Sequence, residues 1–232
     1  MELLECKHLW KSYDDTPVLK DINLKIGRGK IIGLLGKNGV GKSTLIKIIN
    51  DLLVPTEGEV YINGEKPGVN SKKTIAYLPE RTYLDKEMKI IEVFHYFEEF
   101  YDNFNIEKAK KLLKDLDLDI NKKISKMSKG MQEKLQLVLV MSRDVDLYIL
   151  DEPLGGVDPA TRDYILDTIL SNFKEGASMI ISTHLISDIE RILDEVIFMN
   201  DGEIILTSPA DELREKVEIA KNIIDEIKEE KL

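Results

Sequence analysis

An α/β fold with an inserted helical lobe is predicted by three features of the sequence. The apolar run Ile31-Ile32-Gly33-Leu34-Leu35 passes into a stretch with glycines at 36, 39 and 41, then into Leu45-Ile46-Lys47-Ile48-Ile49. This reads as buried strand, loop and amphipathic helix. Two later apolar runs, residues 147–150 and 178–182, stop abruptly at polar residues, as strands of a parallel sheet do where functional loops begin. Ahead of both, residues from about 87 to 118 carry helical periodicity rich in Lys, Glu and aromatics, and read as a lobe inserted into the α/β body.

Taken in order, residues 3–10 alternate apolar and polar side chains like a half-buried strand. Residues 11–17 read as a hairpin connection and 18–26 as a second amphipathic strand, turned by Gly27-Arg28-Gly29. The helix after the glycine-rich stretch is expected to end near Leu53, ahead of Pro55, with Thr56-Glu57-Gly58 as turn chemistry. Two short strands follow, 59–62 closed by Asn63-Gly64 and 74–78 closed by Pro79. In the lobe, Ile90, Ile91, Phe94, Phe97 and Tyr101 share one side of a helix, and Ala109, Leu112, Leu113 and Leu116 form the face of another. The aromatic stripe is expected to be core between these helices. A polar break at 125–130 precedes a helix at 131–141, and Pro159 suits the first turn of a helix reaching about Phe173. A short helix runs to Leu193, and strands 196–199 and 203–206 flank the hairpin signal Asn200-Asp201-Gly202. From Pro209 the chain is charged and helical, with Leu213, Val217, Ala220, Ile224 and Ile227 at helical spacing.

Composition narrows the class. The chain has 232 residues, 43% hydrophobic and 33% charged, enough for a substantial core. A net charge of −10 argues against a broad nucleic-acid surface, so no nucleic-acid partner is expected. The lone Cys6 can form no internal disulfide and reads as a buried small side chain; no Cys/His cluster suggests zinc. Residues 1–5 lack the basic segment of a signal peptide, and no run approaches the roughly 18 apolar residues of a membrane span. A cytosolic or membrane-peripheral protein is expected.

The chemistry starts at Gly36-Lys37-Asn38-Gly39-Val40-Gly41-Lys42-Ser43-Thr44. Its glycines let successive N–H groups turn inward as a concave anion site, and the positive end of the following helix adds to that field. Lys42 is placed to reach the β- and γ-phosphates of a nucleoside triphosphate, and the Ser43 hydroxyl to ligate Mg²⁺. Asp151, at the carboxyl end of its strand, can hold Mg²⁺ through coordinated water, and Glu152 beside it suits orienting the attacking water. His184, at the end of the next apolar strand, is placed to contact the γ-phosphate if the three strand ends share a crevice. Tyr13 reads as exposed; an aromatic there can stack on a purine or pack on the hairpin, and local sequence leaves both open.

In this order the residues resemble the ATP-binding subunit of ABC transporters, over nearly the whole chain. Tyr13 matches that family's adenine-stacking aromatic, 36–44 its phosphate loop, and Ser128-Lys129-Gly130-Met131-Gln132 its signature motif. Asp151-Glu152 matches the Mg²⁺ and base pair, Gly155-Gly156-Val157-Asp158 the D-loop, and His184 the switch histidine. Two motifs depart: Lys129 and Met131 stand where the usual signature has glycine and glutamine, and Glu80 replaces the Q-loop glutamine. Ser128 and Gly130 persist, and Glu80 can approach Mg²⁺ while adding negative charge near the phosphates. Both variants look like those of the ABC-2-type exporter subgroup.

The resemblance implies a P-loop NTPase (RecA-like) α/β core with an antiparallel β subdomain and an inserted α-helical subdomain. Residues 1–232 then form a single ATP-binding domain: 1–86 and 145–210 the core, about 87–144 the lobe with the signature, and 211–232 a C-terminal helix. It implies ATP and Mg²⁺ as cofactors and a head-to-tail pair of ATP-binding subunits, each offering Ser128 and Gly130 to its partner's ATP. An integral membrane permease, driven from the cytoplasmic face and in the direction of export, completes the expectation. A soluble ABC-type ATPase, for instance in iron–sulfur cluster assembly, is the alternative; an ATP-holding module without turnover and a small-molecule kinase fit the intact Lys42, Asp151, Glu152 and His184 less well.

Overall fold

The computed structural model describes residues 2–155 and 159–216, apart from the side chains of 159–161 and 188. The Gly156, Val157 and Asp158 of the expected D-loop, and the expected helical stripe from Val217 onward, lie outside the described residues.

Two sheets organise the chain. Strands β1 (Leu4–Tyr13), β2 (Thr16–Ile26) and β4 (Glu57–Ile62) form an antiparallel sheet in the order β2-β1-β4. Among the described residues the second sheet has six strands: β3 (Ile31–Leu35), β5 (Ile75–Leu78), β6 (Leu147–Asp151), β7 (Ser178–Thr183), β8 (Glu195–Asn200) and β9 (Glu203–Pro209), in the order β5-β6-β7-β3-β8-β9. All its neighbours pair in parallel except the β8–β9 hairpin. Asp201 and Gly202 turn that hairpin with φ of 46° and 80°, the positive pair a two-residue hairpin turn needs.

The parallel strands read as continuous apolar runs because both faces are covered. On one face Ile32, Leu34, Ile149, Ile180 and Ile197 pack with helix α1 (Lys42–Ile49) and the antiparallel sheet. On the other, Tyr148, Leu150, Met179 and Ile181 meet helices α5 (Lys129–Met141) and α6 (Pro159–Asn172). Helices α3 (Ile90–Phe100) and α4 (Ile106–Asp115) close the same core from the lobe. Residues 135–141 of α5 are all buried, so this helix is the central slat between sheet and lobe rather than an amphipathic surface helix. The aromatic stripe is core as expected: the Phe104 ring centroid lies 6.1 Å from Phe94 and 5.5 Å from Phe97.

Several boundaries differ from the sequence reading. Residues 11–17 are not a loop; β1 and β2 run on to a two-residue turn at Asp14-Asp15, pairing Tyr13 with Thr16. Cross-strand pairing makes strand of polar residues there, and Pro17 is tolerated because β2 is an edge. Helix α1 stops at Ile49, capped by Asn50 rather than continuing to Leu53. A short helix α2 (Val69–Thr74) precedes β5, held by reciprocal Gly68–Ser71 hydrogen bonds and carrying no apolar face the sequence could advertise. The lobe's first helix starts at Ile90 and α5 at Lys129, each within three residues of the expected place.

Candidate active site

The sheet order β6-β7-β3 sets three strand ends side by side, so the loop after Leu35, the residues after Asp151 and His184 all leave from one rim. This is where an open parallel sheet presents ligands with loops.

The glycine-rich loop is wedged against its neighbours. A Cβ on Gly36 (φ 154°) would lie 2.5 Å from the Met199 carbonyl oxygen, and one on Gly41 (φ 105°) would lie 2.7 Å from Leu19 Cδ2 and 2.9 Å from the Val18 oxygen. Only glycine fits both the space and the backbone. Lys42 opens α1 and is 5% exposed; its Nζ donates to the Gly36 oxygen at 2.6 Å and the Lys37 oxygen at 3.1 Å, arching over the loop. The first turn of α1 carries no acidic side chain, so the positive end of the helix stays unneutralised.

Asp151 is buried, and its Oδ1 accepts from Ser182 Oγ at 2.5 Å and Ser43 Oγ at 3.3 Å. Burial pushes its carboxyl above the usual carboxylate range; the two hydroxyls pull against that, while the nearby Glu80 and Glu152 charges add to it. Glu152 sits at φ 50°, its N–H shared between the Ser182 carbonyl oxygen and Oγ, each at 3.1 Å. Its Oε2 lies 3.0 Å from His184 Nδ1. Its Oε1 is buried with no hydrogen-bond partner among the described residues and stands 3.6 Å from Lys42 Nζ.

These groups border a cleft of about 1000 Å³. Of the residues expected at the site, Asn38, Gly39, Gly41, Lys42, Ser43, Thr44, Glu80, Asp151, Glu152 and His184 all line it. Gly36 lies just behind, as the acceptor for Lys42. Tyr13 is not in the cleft: its ring is exposed at the tip of β1, with Lys11 Nζ 5.3 Å from the centroid. Nor are Ser128 and Gly130. Ser128 is the N-cap of α5, accepting the Met131 N–H at 3.3 Å, and a Cβ on Gly130 would meet nothing within 4 Å.

The sequence reading missed Ser182, whose hydroxyl links Asp151 to Glu152; its only signal was a polar residue inside an apolar strand. It also missed Glu133 and Gln136, which α5 contributes to the cleft wall beside Lys129 of the expected signature.

The arrangement suits a triphosphate with a divalent cation. The loop and Lys42 offer donors to anionic oxygens, while Ser43 and Asp151 offer the oxygen ligands a hard cation takes. Among the described residues no three His, Cys, Asp or Glu side chains are grouped to hold a metal by themselves. Phosphate oxygens and water would complete its shell.

Known proteins resemble the chain in sequence and in fold. The family model described as "ABC transporter" matches residues 19–155. The ABC-type transporter ATP-binding protein EcsA of Bacillus subtilis is 32% identical, over 98% of this chain and 95% of its own. The SkfA peptide export ATP-binding protein SkfE of the same organism is 28% identical, over 97% and 96%. A solved structure of an "ATP binding subunit of ABC transporter" superposes with a TM-score of 0.84 at 30% identity, covering 93% of each chain.

Proposed function

Since the chain belongs to the ABC transporter family, as one of its ATP-binding domains, we propose that it hydrolyses ATP in this cleft as one of two subunits closing around nucleotide, to drive a separate membrane permease in the direction of export. The observation that carries the reading is the convergence on Glu152. Its carboxylate lies between the Lys42 ammonium and the His184 ring, one residue from an Asp151 bonded to Ser43.

In this reading Lys42 gives up its loop carbonyls to bind the β- and γ-phosphates, and the loop N–H groups hold the remaining oxygens. Ser43 and Asp151 would hold Mg²⁺, with Glu80 at the edge of its shell; the bound ion supplies charge neutralisation and fixes the phosphate oxygens. Glu152 orients the attacking water and takes up its proton, and His184 holds Glu152 in place and reaches the γ-phosphate. The exposed Tyr13 ring is assigned to the adenine. Ser128 and Gly130, outside this cleft and open to solvent, are assigned to the nucleotide of a second copy or a related subunit. Asp158, beyond the described residues, is assigned to the same junction.

The permease contact is assigned to a second groove of about 660 Å³, lined by Lys47, Lys72, Tyr83, Tyr96 and Arg143. Tyr83, Tyr96 and Phe100 are large and exposed around it. Pro79, Arg81 and Thr82 line both this groove and the nucleotide cleft, so a partner pressing on one reaches the wall of the other. No helix among the described residues is long and apolar enough to cross a membrane, which accords with a peripheral subunit, placed by this reading at the cytoplasmic face. The direction of transport is assigned by likeness to SkfE, a peptide export ATP-binding protein.

The test uses tagged Glu152→Gln protein, purified with ATP and Mg²⁺ from detergent-solubilised membranes of its own cell. The expected result is ATP retained without turnover, a dimer, and a multi-span membrane protein alongside. Normal turnover removes Glu152 from its role, and ribosomes or soluble assembly proteins in place of a permease overturn the transport reading.

A further inference from the structure

Gln136 lies on α5, is 2% exposed and lines the nucleotide cleft, yet its side-chain amide nitrogen is buried with no hydrogen-bond partner among the described residues. Folded proteins retain few such donors, and one beside a ligand cavity is a candidate for a contact made only in another state. The complementary group is on the facing loop. Glu80 lines the same cleft, and among the described residues its carboxylate enters no hydrogen bond or ion pair. Its charge is close enough to Asp151 to help push that carboxyl upward. The helix thus carries a donor without an acceptor, and the loop an acceptor without a donor, around one cavity. Left unheld, Glu80 is repelled by Asp151.

Resting on the nucleotide reading above, we propose that Gln136 is a positioning residue whose side-chain amide donates to the Glu80 carboxylate when the cleft holds ATP and a divalent cation, steadying Glu80 toward the Ser43–Asp151 pair. The bond ties α5 to loop 79–82, the wall shared with the second groove. The two lobes are then joined through the cation site, by an amide carried on the helix and a carboxylate carried on the loop.

The test is made in the full chain carrying Glu152→Gln. Equilibrium dialysis with labelled ATP gives the dissociation constant in EDTA and in saturating Mg²⁺, and their ratio measures how strongly the site uses the cation. Gln136→Met is expected to reduce that ratio about tenfold or more, the effect of one hydrogen bond to a charged group, and Glu80→Ala by at least as much. The double variant should fall no further than Glu80→Ala alone, because both remove one interaction. Gln136→Glu, which sets a second carboxylate against Glu80, should fall further than Gln136→Met. An unchanged ratio in Gln136→Met, or effects that multiply in the double variant, overturns the proposal. A readout needing no change at 136 is the Gln136 side-chain ¹⁵N–¹H resonance. It should move on adding ATP and Mg²⁺ and stay in place when Glu80 is also replaced by Ala; the same movement in both proteins overturns the proposal. Failure of the protein with Gln136 and Glu80 intact to bind ATP at all overturns the nucleotide reading itself, and with it this one.

Discussion

Replacing Ser182 by alanine isolates the hydrogen bond on which the Asp151 carboxylate depends most. The side chain is buried, its Oγ donates to Asp151 Oδ1 at 2.5 Å, and it also accepts the Glu152 N–H at 3.1 Å. That N–H keeps the Ser182 carbonyl oxygen at 3.1 Å in the alanine variant, so only the first bond is lost outright. A hydrogen bond to a charged group contributes about 1.5–3 kcal/mol. For a chain of this size each kcal/mol shifts Tm by roughly 2–4 °C, which gives a fall of roughly 3–12 °C at pH 8. The sign with pH follows from the ionised form. The Ser182 bond favours the carboxylate, so its contribution is present above the folded-state pKa of Asp151 and is lost as pH falls through it. Burial raises that pKa overall, which sets the window above the ordinary carboxylate range. Scanning calorimetry of both proteins from pH 8 downward should show the Tm gap narrowing on acidification. The acid limb of kcat/KM for ATP hydrolysis should move to higher pH in Ser182→Ala. A gap of constant size, with coincident acid limbs, would show that Ser182 only fills space and that its bond does not tune Asp151.

Two further outcomes are expected. His184→Ala removes an exposed ring whose contact with Glu152 spans 3.0 Å; steady-state phosphate release should fall about tenfold or more while Tm moves little, and wild-type turnover would dismiss the histidine. Gly41→Ala forces a Cβ to within 2.7 Å of Leu19 and 2.9 Å of the Val18 oxygen at φ 105°. Urea unfolding should show a loss of roughly 1–3 kcal/mol from backbone strain, and fluorescence titration a large loss of ATP affinity; unaltered affinity would mean that the loop needs no glycine there.

The parts of the fold that the sequence disclosed are those fixed by local pattern. Strands buried on both faces show as unbroken apolar runs, and the glycines of the phosphate loop are set by backbone geometry that no other residue satisfies. Asp151, Glu152 and His184 were legible because each lies within two residues of the end of such a run. What stayed hidden depends on partners distant in sequence. Residues 11–13 are polar and become strand only through pairing across the Asp14-Asp15 turn. The helix at Val69–Thr74 has no buried apolar face to betray it, with Val69 itself exposed. Ser182 acquires its role from the register that sets it opposite Asp151, and Gln136 from the packing of α5 across the cleft. Neither relation leaves a mark in the few residues around it.

The left-handed backbone at Glu152 has an evolutionary corollary. A β-carbon at φ 50° is disfavoured by roughly 1 kcal/mol, a penalty that glycine escapes and asparagine largely escapes. Backbone strain therefore pulls this position away from glutamate, opposed by the Lys42 and His184 contacts and by selection for turnover. In a gene copy released from the need to hydrolyse ATP, Gly or Asn should accumulate at 152 early. Lys42, buried and bonded to its own loop, would be retained far longer. Sequence drift at this one codon would then separate working descendants of this lineage from those that merely hold nucleotide.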